Sequence, residues 1–94
     1  MAIARVVSFD GVSQERMQQL AQDVSQDPRP EEVPATEMVM LHDPEANKAL
    51  VVLFFENEDD YRRGDEFLSS MPASDTPGRR TSVTKYEVAV RRSG

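Results

Sequence analysis

The sequence predicts a single α+β domain of order β-α-β-β-α-β, with a four-stranded antiparallel sheet. Three observations predict it. Apolar residues alternate in short runs that twice give way to a helical spacing. A tight turn, Asp43-Pro44-Glu45-Ala46-Asn47-Lys48, joins the second and third strands. The third strand, Leu50-Val51-Val52-Leu53-Phe54-Phe55, is apolar at every position, so it needs cover on both faces.

Ile3 to Phe9 is the first expected strand, closed by the turn pair Asp10-Gly11. Ser13 suits a helix cap, with Glu15 in the first turn. Met17, Leu20, Ala21 and Val24 follow at i, i+3, i+4 and i+7 and form one apolar stripe. Pro28, Pro30 and Pro34 stop that helix, so Ser25 to Ala35 is an extended connection. It is long for a compact domain, and serves as a crossover or a functional loop.

Glu37 to Leu41 and Leu50 to Phe55 are the next two strands. Pro44 suits the second position of a type I turn, and Asn47 tolerates the left-handed conformation that closes it. A loop of Pro44 to Asn47 sets Asp43 opposite Lys48, His42 opposite Ala49, Met40 opposite Val51 and Met38 opposite Leu53. Asn57 caps a second helix with Glu58, Asp59 and Asp60 in its first turn. Tyr61, Phe67, Leu68 and Met71 are its apolar side. Gly64 on that side allows a close approach, and Pro72 ends the helix. After a loop from Pro72 to Arg80, Thr81 to Arg91 is the last strand. Thr84, Tyr86, Val88 and Val90 lie on one face of it, and Val83, Lys85, Glu87 and Ala89 on the other.

This order matches the split-βαβ, ferredoxin-like plan, with strands one and three central and the fourth at an edge. Both helices then cover one face. The other face of the third strand remains apolar, and leaving such side chains wet costs about 1.5–3 kcal/mol each. A sheet-to-sheet homodimer is the expected answer, and cover by long loops in a monomer is the alternative.

Composition narrows the function. With 94 residues the chain is one domain, 1–94, with a thin core. It has no cysteine and one histidine, which excludes disulfides, thiolate metal sites and a multi-histidine metal site in one chain. No metal and no cofactor is expected. The net charge of −6 argues against nucleic acid and against an anionic membrane surface. The pairs Arg62-Arg63, Arg79-Arg80 and Arg91-Arg92 read as solvated surface. No apolar run approaches a membrane span, and the start MAIARVVSFDG is unlike a signal peptide, so the cytoplasm is the expected compartment.

The stretch VVLFFENEDDYRRGDEFL carries a resemblance. An apolar strand ends in the aromatic Phe55, and the acidic segment Glu56-Asn57-Glu58-Asp59-Asp60 opens a helix. In this the chain resembles the dimeric α/β-barrel superfamily, which includes the antibiotic-biosynthesis-monooxygenase-like and stress-responsive A/B-barrel families. The resemblance implies two sheets forming a barrel across a dimer, helices outside, and a cleft between sheet and helices in each subunit. It implies no single reaction, since members include cofactor-free oxygenases, haem degraders, isomerases and cyclases. The haem degraders' pattern is not met. The first strand has no Asn, Phe55 stands where Trp would fall, and the second helix has no His.

The candidate ligand-binding residues are Met38, Met40, Phe55, Tyr61 and Arg5, and no catalytic residue is assigned. Tyr61 lies about one turn into the second helix, near Phe55, and Arg5 reaches the same end of the sheet. A phenol and a guanidinium suit a phenolate or carboxylate ligand. The plainer expectation is a core tyrosine beside an Arg5–Glu56 ion pair. Met38 and Met40 share the face of Phe55, and line a pocket or fill gaps. His42 is expected to be structural or solvated, about 20 Å from the Phe55 end. Two functions follow from different classes. One is a small-molecule-binding protein, oxygenase-, isomerase- or cyclase-like, acting on an apolar or aromatic molecule. The other is a non-enzymatic dimeric assembly module, or an accessory subunit contacting a larger enzyme through Ser25 to Ala35.

Overall fold

A computed structural model describes residues 2–26, 33–70 and 78–92. The elements are β1 (Ile3–Asp10), α1 (Gln14–Gln26), β2 (Glu37–Asp43), β3 (Lys48–Phe55), α2 (Glu58–Ser69) and β4 (Arg79–Glu87). They form one four-stranded antiparallel sheet in the order β2-β3-β1-β4. The class is α+β, with the βαββαβ order compatible with a ferredoxin-like fold, and β1 and β3 are the central strands.

The local chemistry explains the boundaries. Gly11, at φ 69°, turns the chain out of β1. The Ser13 hydroxyl accepts from the Arg16 N–H at 3.1 Å and caps α1. Asn57 is extended at φ −153°, and its side chain accepts from the Asp60 N–H at 2.8 Å to cap α2. Asp43 pairs with Lys48, and Asn47 closes the hairpin at φ 55°. The Asp43 carboxylate also accepts from the N–H groups of Glu45 and Ala46. The rungs Met40–Val51 and Met38–Leu53 stand as the turn chemistry required.

Pairing puts Ile3, Arg5, Val7 and Phe9 on one face with Ala49, Val51, Leu53 and Phe55. The helices cover this face. Met17 of α1 packs with Val7, Phe9, Val12 and Ala49. Tyr61, Phe67 and Leu68 of α2 pack on Leu53 and Phe55, joined there by Val33 and Ala35. Gly64 is buried against Phe55, whose ring is fully buried. Stabilisation therefore comes from two small apolar clusters, one under each helix.

Two expectations are corrected. The last strand starts at Arg79, opposite Asp10, and ends at Glu87, opposite Ile3. Beyond Glu87 the pairing partner runs out, because β1 begins at Ile3, and only the Val88 N–H reaches the Ala2 carbonyl, at 2.9 Å. The tail then crosses to the helix-free face, where the Arg91 guanidinium stacks 4.4 Å from the Phe54 ring centroid and pairs with Glu37. The second and third strands are also longer than expected, because the hairpin ladder runs to the Asp43–Lys48 rung. Expectations for Val24's side chain, for 27–32 of the Pro-rich connection, and for Met71, Pro72 and the loop up to 77 lie outside the described residues. Among the described residues no helix is long and apolar enough to cross a membrane.

Candidate functional site

Arg5 is the most unusual side chain of the helix-covered face. Inward-facing positions of a central strand are normally apolar, yet Arg5 is only 4% exposed. Desolvating a guanidinium is costly unless it is paired and its donors are used. Its Nε donates to the Asp65 Oδ1 at 2.9 Å. Its Nη2 is buried and has no hydrogen-bond partner among the described residues. The expected Arg5–Glu56 pair is thus replaced by Arg5–Asp65. Glu56 is exposed, whereas the helical period brings Asp65 to the same side of α2 as Tyr61, four residues earlier.

Three further groups surround this pair. Tyr61 stands edge-on to Phe55, with ring centroids 5.7 Å apart. Lys85 is the cross-strand neighbour of Arg5 on β4, and its Nζ lies 5.2 Å from the Tyr61 ring centroid. That same Nζ donates to the Glu58 carboxylate at 2.6 Å. Burial pushes the Tyr61 phenol above the ordinary tyrosine range, and Asp65 adds to this. Arg5 and Lys85 pull the other way. Tyr61 is therefore a neutral hydroxyl, able to donate as well as accept.

The site forms a groove between α2 and the edge strand β4. α2 packs over β1 and β3, and every residue of β4 remains exposed. Val83, Lys85 and Glu87 face the helix side, opposite Val7, Arg5 and Ile3. At the Ile3–Glu87 end, one same-face rung from Arg5, lies a concavity of about 430 Å³ lined by Ile3, Asn57, Glu58, Asp59 and Glu87.

Of the residues singled out from sequence, Arg5, Tyr61 and Phe55 come together at this end. Met38 packs, half-buried, on the cluster that holds Phe55. Met40 belongs with the other cluster, near Val7 and Met17. Asp65, Glu58 and Lys85 were missed. The i, i+4 spacing of Tyr61 and Asp65 was a usable signal. The Lys85 contact was not, because it depends on the β1–β4 register.

His42 lies at the other end. Its Nε2 donates to the Val12 carbonyl at 2.9 Å, and the Val12 N–H donates to Asn47 at 2.8 Å. The histidine thus ties the turn after β1 to the hairpin. A second concavity, about 460 Å³, adjoins it and reaches Leu41, Leu50, Ser8, Lys48 and Thr81. Among the described residues no group of three or more His, Asp or Glu is placed to hold a metal ion. No family model, no curated protein and no solved structure matches the chain.

Proposed function

We propose that the chain works as a homodimeric module of the dimeric α/β-barrel type, in which the helix-free face of the sheet packs on the same face of a second copy. One observation carries this reading. Val6, Val39, Leu41, Leu50, Val52, Phe54 and Tyr86 share the face that neither helix covers. Leu41 is 50% exposed and Tyr86 55%, on a face where an isolated sheet would alternate to polar. Charge supports a second copy as the occupant. The chain carries −6 overall, which opposes self-association, but the centre of this face is uncharged. Of the acids at its margins, Glu37 is matched by Arg91 and Asp10 by Arg79, while Asp43 is held in the hairpin turn by the Glu45 and Ala46 N–H groups. A two-fold contact of this kind needs no other partner.

Sedimentation equilibrium tests it. The wild type is expected at twice 10.6 kDa, and Leu41→Glu with Leu50→Glu at the monomer mass with the fold retained. A wild type that stays monomeric at high micromolar concentration refutes the reading.

A second reading is small-molecule binding in the sheet–helix groove, in an oxygenase-, isomerase- or cyclase-like protein. The buried, unpartnered Nη2 of Arg5 favours the binding half of it. Saturation-transfer NMR with a library of small organic acids tests that half, with binding lost in Arg5→Met as the expected result.

A further inference from the structure

We infer that the α2–β4 groove is a site for a small amino-carboxylate, with Arg5 as the anchor for the carboxylate and Glu87 as the partner of the ammonium. The inference rests on the ligand-binding reading and is independent of dimerisation.

The inner end of the groove asks for an anion. Arg5 spends Nε on Asp65 and keeps Nη2 unused while almost wholly buried. An unused buried donor is costly, the more so on a charged group. A carboxylate oxygen removes that cost through a charge-assisted bond. Tyr61 adds a neutral hydroxyl beside it, and Lys85 a second cation. Lys85 is the movable member. It is exposed and its stem has four rotors, and among the described residues its Nζ is held by the Glu58 carboxylate and the face of the Tyr61 ring. Released from Glu58, its Nζ can turn to the incoming carboxylate beside its cross-strand neighbour Arg5.

The outer end asks for a cation. The concavity of about 430 Å³ begins one same-face rung from Arg5, at Ile3 and Glu87. That is a separation of about 7 Å along the strand. Its acidic residues are Glu58, Asp59 and Glu87. Glu58 is engaged by Lys85 and Asp59 by Arg62 at 3.6 Å. The Glu87 carboxylate makes no ion pair or hydrogen bond among the described residues, which leaves it for the ligand. A simple organic anion would meet this carboxylate on its way in. A dianion would meet it twice. A zwitterion satisfies both ends, with its carboxylate inward and its ammonium outward. Ile3 supplies the apolar wall for a short side chain.

The test uses three matched probes on the full chain: L-leucine, 4-methylpentanoate, which lacks the ammonium, and isopentylamine, which lacks the carboxylate. ¹⁵N-detected NMR titration follows the Arg5 Nε–H and the backbone amides of Glu58 and Glu87. L-leucine is expected to move all three signals and to bind about tenfold tighter than either partner compound. Arg5→Met is expected to abolish the shifts. Glu87→Gln, at an exposed edge where folding is not at risk, is expected to reduce leucine to the affinity of 4-methylpentanoate. Equal binding of leucine and 4-methylpentanoate to the wild type overturns the amino-carboxylate assignment and leaves carboxylate binding standing. Silence of these signals with all three probes at millimolar concentration overturns the site. Leucine binding unaltered in Glu87→Gln overturns the role of Glu87, whatever the fate of Arg5→Met.

Discussion

Gly64 packs so closely on Phe55 that a Cβ at position 64 would stand 2.7 Å from the ring Cε1 and 2.8 Å from Cζ. The ring has nowhere to go, being fully buried and edge-on to Tyr61. Gly64→Ala therefore forces α2 away from β3. Overpacking costs about 1–3 kcal/mol, against about 1 kcal/mol gained in helix propensity. A net loss is expected in thermal unfolding, and in the double variant with Phe55→Leu the two losses should be less than additive. A higher midpoint for Gly64→Ala alone would show that the contact does not limit the packing.

Removing the cap of α2 should matter at a similar scale. Asn57→Ala deprives the Asp60 N–H of its acceptor, at a cost of about 1 kcal/mol. Asn57→Asp keeps an acceptor oxygen and should keep the stability. Urea denaturation of the pair decides it, and equal midpoints for wild type and Asn57→Ala would mean that solvent replaces the cap without loss.

At the opposite end of the sheet, His42→Leu leaves the carbonyl of fully buried Val12 without its donor. The expected cost is about 1–3 kcal/mol. Amide hydrogen exchange should show the loosening at Val12, whose N–H is bonded to Asn47. Unchanged protection at Val12 would assign His42 no structural role there.

Tyr61 gives the fold a pH dependence in alkali. Its phenol ionises above the ordinary range when folded, chiefly because it is buried. The folded state therefore holds the proton more tightly than the unfolded chain does. The stability this adds is complete below the unfolded pKa of about 10 and is lost as pH rises through the folded pKa. Denaturation at several alkaline pH values, compared between wild type and Tyr61→Phe, should show a steeper decline in the wild type. Parallel curves would contradict the assignment.

Much of the fold could be read before any coordinates because local chemistry and pattern agreed. Pro44 and Asn47 set the hairpin loop, and the loop set every rung from Asp43–Lys48 to Met38–Leu53. Alternation failed at Val88 and Val90 for a definite reason. A period of two marks an extended chain, but a strand also needs a neighbour, and β1 offers none beyond Ile3. The site was half legible. Arg5, Tyr61 and Phe55 could be brought to one end of the sheet from element order alone. Lys85 could not, because a slip in pairing between Ser8 and Phe9 of β1 offsets β4 by one residue, and no sequence signal locates that slip.

The bond from the Val88 N–H to the Ala2 carbonyl sets the first strand's beginning beside the last strand's end. A short linker between these points would close the chain into a ring without disturbing a ladder. New ends could then be cut in the exposed turn from Pro44 to Asn47, giving a permuted protein in which β2 and β3 no longer follow one another. Such a chain would retain every strand pairing while losing its tightest local connection. Its folding rate would report how far the hairpin, rather than the sheet as a whole, leads the assembly of the domain.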